Sequence, residues 1–210
     1  PGGPMGTVSY LITDPATSSW AVVDPSFEII STWQDRWSGL GNPSAVYITH
    51  GHIDHIGGLH DFVAQFPGVP VWVHAVGRPM LESAEMNGSL MFDLQYQPVS
   101  PTHEFVDGET VQLGGTVLEI IRADGHCPGS VMLKSGRHLI AGDVIFEGST
   151  GRWDLPGGDY NILAGSIREK VMVLPDETII YPGHGRTTTV GNEREFNPIV
   201  RKMMAGEAFP

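Results

Sequence analysis

The stretch THGHIDHIGG, residues 49–58, places His50, His52, Asp54 and His55 within ten residues that also hold three glycines. It follows directly on the apolar, β-prone run AVYI (45–48). A histidine that satisfies one structural hydrogen bond does not need neighbours of its own kind. Neutral imidazole nitrogen and carboxylate oxygen are the ligands zinc takes, at roughly 2.0–2.2 Å. His50 and His52 stand two apart, so extended backbone turns both rings to one side. Asp54 and His55 come one turn later and reach around a neighbouring position. The segment reads as a metal-binding loop at the end of a buried strand.

Three more candidates lie downstream, each at a predicted strand end bordered by glycine: His126 in DGHCPGS, Asp143 in LIAGDVIF and His184 in YPGHGR. Glycine permits the tight turns that bring backbone and ligand near an ion. Taken singly, Asp143 is an ordinary turn cap and His184 an ordinary loop residue; beside the cluster both become candidate ligands. Seven ligands are too many for one tetrahedral ion, and the residue types suit two metals with a carboxylate bridging them. A predicted hairpin over 130–141 lets His126 and Asp143 meet despite their separation.

The elements around these motifs alternate. VSYLIT (8–13), WAVVD (20–24), AVYIT (45–49) and VPVWVH (69–74) read as strands, with helices over 27–38, 58–66 and 77–87. The second half opens with strands at 109–113, 116–123, 130–135 and 137–143, the first two separated by Gly114-Gly115, a hairpin signal. A glycine-rich loop (147–159), a helix over 160–173, a strand at 177–183 and one final helix over 193–204 follow. Each half is strands followed by helix and strand, which predicts an α/β (α+β) chain folded as one domain over 1–210. Its two β-sheets pack together with helices outside, a four-layer αββα sandwich.

Composition narrows the function. The 210 residues are 40% hydrophobic, enough for a sizeable core. Formal net charge is −12, from 24 acidic and 12 basic residues, with no basic run. That balance argues against a nucleic-acid partner. Cys127 is the lone cysteine, so no intrachain disulfide forms and a reducing cytoplasm is the default location. The apolar runs are too short to cross a bilayer, and PGGPMGTVSY shows no secretory signal although it lacks an initiating Met. The expected partner is a small molecule. Oligomeric state is not legible.

THGHIDHIGG, GHCPGS, AGDVIF and YPGHG, in that order and spacing, resemble the metallo-β-lactamase superfamily over about residues 7–200. The resemblance implies the αββα fold and a binuclear site at the edge of the sandwich. His50, His52 and His126 would hold one metal, Asp54, His55 and His184 the other, and Asp143 would bridge them. The ions would be divalent, zinc first, with iron or manganese as alternatives. The segments GSTGRWDLPGGDY and PGHGRTTTVGNEREFNP are similar to small hydrolases related to hydroxyacylglutathione hydrolase (glyoxalase II). That likeness implies thioester hydrolysis, with a glutathione thioester as a candidate substrate, by a hydroxide held between two metals. Asp54 and Asp143 would be the catalytic carboxylates.

The rest of the pocket is less determined. Arg152 either meets a substrate carboxylate through its planar fork or pairs with Asp154. Trp153, Tyr160 and Phe146 either line the pocket or simply pack. Cys127 reads as a small buried neighbour of His126, and Asp24 in VVDPS as a turn or supporting residue. His60, His74, His103 and His138 fall outside the pattern, His74 being the one expected nearest the cleft. Two rival activities share the scaffold. One is a mononuclear iron persulfide dioxygenase, whose relatives share the GRxD loop seen as Gly151-Arg152-Trp153-Asp154 and need three ligands, here His50, His126 and Asp143. The other is a lactonase or β-lactam hydrolase.

Overall fold

A computed structural model describes residues 1–207. The strands are β1 (Tyr10–Thr13), β2 (Trp20–Val23), β3 (Ala45–Tyr47), β4 (Val71–His74), β5 (His103–Phe105), β6 (Thr110–Leu113), β7 (Thr116–Arg122), β8 (Val131–Ser135), β9 (His138–Gly142), β10 (Ile145–Phe146), β11 (Ser149–Thr150), β12 (Ile179–Pro182) and β13 (Thr188–Thr189). The helices are α1 (Ile29–Trp37), α2 (Ile53–Ile56), α3 (Leu59–Gln65), α4 (Arg78–Glu82), α5 (Tyr160–Ser166), α6 (Val190–Phe196) and α7 (Pro198–Met204). One sheet runs β1-β2-β3-β4-β5 and the other β13-β12-β9-β8-β7-β6, with β10 and β11 forming a small hairpin of their own.

The layers follow from the two-residue period of a strand. Trp20 and Val22 of β2 face a cluster with Ile29, Trp37, Leu59 and Phe62 from the helices on that side. Their alternates Ala21 and Val23 join Phe105, Leu118, Ile120 and Leu133 in a core lying between the two sheets. The second sheet repeats the pattern: Leu133 and Ile140 point inward, while Met132, Leu139 and Ala141 meet Leu163, Ile167 and Val200 on the outer face. Both faces of the central strands are buried, so these strands read as continuous apolar runs. The αββα sandwich expected from the sequence is present.

Three expectations are corrected. The helix expected over 77–87 contracts to Arg78–Glu82, because Ser83 is extended and Gly88 turns the chain at a φ of +83°. Residues 84–94 then run as an irregular loop against the open edge of the sandwich. The single helix expected over 193–204 is two. Asn197 is extended (ψ 112°), as a residue before proline prefers, and starts α7 as its cap by accepting from the Ile199 and Val200 amides at 3.0 and 3.1 Å. The helix expected over 160–173 ends at Ser166 and continues as a π-helical turn over Ile167–Val171. The short strand β5 carried no clear signal of its own; its pairing with β4 defines it.

The functional consequence is one edge. β3, β7, β9 and β12 end on the same side, and the segments that follow them carry residues 49–58, His126, Asp143 and His184.

Candidate metal centre

Immediately after β3, His50 is buried and His52 remains extended at a ψ of 145°. Buried Ile53 and Ile56 then anchor the single turn α2, which carries Asp54 and His55. This is the two-sided presentation the spacing predicted. Three residues from separate loops, His126, Asp143 and His184, complete two groups of donors.

In the first group, His126 Nε2 lies 3.2 Å from His50 Nε2 and 2.8 Å from His52 Nδ1. The other ring nitrogens of His126 and His50 are engaged. His126 Nδ1–H donates to the Arg152 carbonyl at 2.7 Å. His50 Nδ1–H donates to Thr49 Oγ1 at 3.1 Å, and that hydroxyl in turn donates to Asp24 Oδ2 at 2.6 Å. The Nε2 atoms of His50 and His126 are therefore both bare lone pairs, facing each other. Burial lowers the pKa of all three rings, His52 to about 3, so the rings are neutral ligands rather than cations.

In the second group, His184 Nε2 lies 3.1 Å from Asp54 Oδ2, and His55 Nε2 lies 3.5 Å from the same oxygen. Asp143 touches both groups. Its Oδ1 is 3.2 Å from His55 Nε2, and its Oδ2 is 3.4 Å from His184 Nε2 and 3.6 Å from His126 Nε2. His55 Nδ1–H donates to Asp24 Oδ2 at 2.9 Å, which again leaves Nε2 as the free nitrogen. His55 Nε2 and Asp143 Oδ1 are both buried without a hydrogen-bond partner. Two orphaned acceptors at ion-pair distance fit a cation between them.

The field has the same sense. Burial opposes charge on His55 and His184, yet Asp143 and Asp54 outweigh it; His55 rises well above the usual histidine value and His184 to about 9. Burial likewise opposes ionisation of Asp54 and Asp143, but His55 and His184 hold both well below the carboxylate range. A pocket that favours positive charge this strongly suits a divalent ion.

Asp24 and Thr7 were under-read in the sequence. Asp24, at a φ of +51°, accepts from the Thr49 amide at 2.7 Å, from Thr49 Oγ1 and from His55, so one carboxylate fixes the tautomers of His50 and His55 together. Thr7 Oγ1 donates to Asp54 Oδ2 at 2.6 Å from 47 positions away. Groups that orient ligands this way are worth ~10–100-fold in metal affinity. Asp24→Ala is accordingly expected to weaken metal binding by about that factor in a chelator competition; an unchanged affinity would refute the role.

The other candidates separate. Arg152 borders the cavity but is paired with Asp154 through bonds of 2.8 and 2.7 Å. Trp153 and Tyr160, expected as pocket-lining alternatives, pack instead edge to face with ring centroids 5.2 Å apart against the helix-side core, and Tyr160 Oη donates to the Glu207 carbonyl at 2.7 Å. Phe146 does line the cavity, edge-on to His184. Cys127 is buried beside His126, and burial pushes its thiol up to about 12. Buried His74 accepts from the Val76 amide outside the cluster. His60, His103 and His138 pair with Asp61, Trp72 and Tyr181.

The family model of the metallo-beta-lactamase superfamily matches residues 2–184, from the first residues through the last member of the cluster. The chain is 38% identical over 205 residues to the probable metallo-hydrolase YqgX of Bacillus subtilis, covering 95% of each. It is 34% identical over 184 residues to the hydroxyacylglutathione hydrolase GloC of Haemophilus influenzae, covering 86% of each. Among solved structures, the BLEG-1 B3 metallo-beta-lactamase superposes with a TM-score of 0.86 at 32% identity, over 94% of this chain and 96% of that one. TTHA1623 in a di-iron-bound form superposes with a TM-score of 0.83 at 31% identity, over 93% and 96%. No helix among the described residues is long and apolar enough to cross a membrane. A family match that spans both donor groups, on the fold those relatives share, means that the chain belongs to the metallo-beta-lactamase superfamily.

Proposed function

We propose that this protein is a binuclear metallohydrolase that cleaves thioesters. The observation that carries the reading is Asp143, whose two oxygens lie against both donor groups at 3.2–3.6 Å. His50, His52 and His126 would hold one ion, Asp54, His55 and His184 the other, with Asp143 shared. The likeness to GloC favours a thioester, and zinc is the first expectation for the metal, with iron and manganese open to the same donors.

Two divalent ions bound there would supply Lewis-acid polarisation of a carbonyl and a water of strongly lowered pKa. The chain's own residues do the remainder. Asp24, through Thr49 and His55, keeps Nε2 of His50 and His55 turned to the site. Asp54, held by Thr7, faces the cavity with an acceptor oxygen that orients the attacking water and receives its proton. The thiolate departs without a strong general acid, since a thiol is far more acidic than an alcohol.

The test is to count zinc, iron and manganese per chain by elemental mass spectrometry and assay a thioester panel before and after chelation. Two ions per chain and thioester turnover abolished by the chelator are expected. One iron per chain with oxygen uptake on a persulfide would instead favour the dioxygenase. The likeness to BLEG-1 keeps β-lactam hydrolysis as a second reading, and a chromogenic β-lactam turned over faster than every thioester would establish it.

A further inference from the structure

The cavity above the cluster has walls that the metal chemistry does not use. It encloses about 330 Å³, near the lower end of small-molecule sites. Its sides are Met5, Met86, Met91, Phe92, Phe146 and Leu155. Met86, Met91 and Phe92 are 51%, 60% and 46% exposed, and Leu90 between them is 69% exposed. A run of large apolar side chains facing water beside a reactive site points to a ligand that covers them. Unbranched methionines in particular adapt to apolar ligands of varied shape.

The loop that carries this wall is held in place. The Ile53 amide donates to the Asn87 carbonyl at 2.8 Å, the Ser89 amide to Asn87 Oδ1 at 2.9 Å, and the Leu94 amide to the Ser89 carbonyl at 2.9 Å. The wall is therefore tied directly to α2, which presents Asp54 and His55.

Charge argues the same way. Outside the histidine cluster, Arg152 is the one cationic side chain among the described lining residues, and its guanidinium is committed to Asp154. Arg186 nearby is committed to Glu147 at 2.8 and 3.1 Å. Glu85 adds a carboxylate to the rim. A dicarboxylate thiol such as glutathione would meet an acid and no uncommitted arginine. We infer that the site takes thioesters whose enclosed part is uncharged and apolar, a medium-length acyl chain lying along Met86, Met91 and Phe92, in preference to thioesters of glutathione. The inference rests on the hydrolytic reading above and names its substrate class.

The test compares the metal-loaded protein with its Met91→Ser/Phe92→Ser variant; both residues are exposed, so the core is untouched. kcat/KM is measured for acetyl and hexanoyl thioesters of N-acetylcysteamine and for S-lactoylglutathione. A buried methylene is worth roughly fourfold in binding, so four half-covered ones predict about a 15-fold preference for hexanoyl over acetyl. S-lactoylglutathione should be the poorest of the three. The double variant should narrow the acyl preference below about threefold. Calorimetry with a hexanoyl analogue carrying CH2 in place of sulfur, which cannot be hydrolysed, should show binding with a negative heat-capacity change, weakened in the variant. A flat acyl series, a glutathione preference, or a variant with the same selectivity overturns the inference. The last case includes one in which Met91 and Phe92 prove to be a dimer contact and the variant is merely monomeric. If no thioester is cleaved yet the analogue binds through this wall, the hydrolytic reading falls and the apolar-ligand assignment stands. An analogue that does not bind overturns that assignment whatever the rates.

Discussion

Asp143→Ala is expected to release at least one metal ion per chain and to lower kcat/KM on the best substrate by roughly a hundred- to a thousandfold, the scale seen when one key electrostatic group is removed from an active site. The reason is geometric and electrostatic together. Asp143 alone reaches His55, His184 and His126 at once, at 3.2, 3.4 and 3.6 Å. In the proposed site it is also one of the two carboxylates, with Asp54, that would offset the charge of two divalent ions among rings that would bind them as neutral imidazoles. Removing it leaves His55 Nε2, already without a hydrogen-bond partner, facing an apolar methyl. Asp143→Asn keeps the shape and loses the charge, and should fall between wild type and alanine in metal content. Elemental analysis and thioester kinetics on the folded variants decide the matter. Two retained ions with a rate within threefold of wild type would remove the shared carboxylate from the account.

The candidate donors and the sandwich beneath them were legible because their signals are local, whereas their division into two groups came only with the family resemblance. Three imidazoles and a carboxylate follow AVYI within a few residues, and each remote ligand lies beside a glycine at a strand end. The central strands declared themselves because Trp20, Val22, Ala21 and Val23 are apolar on both faces. What escaped depends on contacts between distant segments. Thr7 meets Asp54 only after the N-terminal segment crosses the mouth of the site, and nothing in PGGPMGTVSY announces that. Asp24 was recognised as a turn or supporting residue, but its simultaneous hold on Thr49 and His55 appears only when β2 and β3 pair side by side. In GRWDLPGGDY no periodicity tells which way a side chain turns, so Trp153 and Tyr160 could not be separated from Arg152 by spacing. The helix expected over 77–87 ends at Glu82, and the irregular loop that follows brings Met86, Met91 and Phe92 to the cavity through contacts that no helical period announces.

Gly183→Ala tests whether the site depends on shape as much as on its ligands, because it removes no donor atom and changes no charge. A Cβ on Gly183 would stand 2.0 Å from Asp143 Oδ1, 2.7 Å from His55 Cε1 and 3.2 Å from the Gly142 carbonyl carbon. The backbone has little room to retreat. Gly183 N–H donates to the Gly142 carbonyl at 2.8 Å, and the Gly183 carbonyl accepts from the Val8 amide at 2.7 Å, which clamps the turn between β9 and the N-terminal segment. The strain must therefore pass into Asp143 or His55, the pair whose separation defines the second donor group. A displacement of about 1 Å in an active site costs on the order of a hundredfold in rate, so kcat/KM should fall by about that factor with a matching loss of metal occupancy. Gly185→Ala, two residues on, is the control. Its Cβ meets nothing within 4 Å, but its φ of +81° strains any side chain, so that variant should lose roughly 1 kcal/mol of stability while keeping its metals and its rate. If Gly183→Ala matches Gly185→Ala in metal content and turnover, the donors tolerate a looser arrangement than the contacts at Asp143 imply.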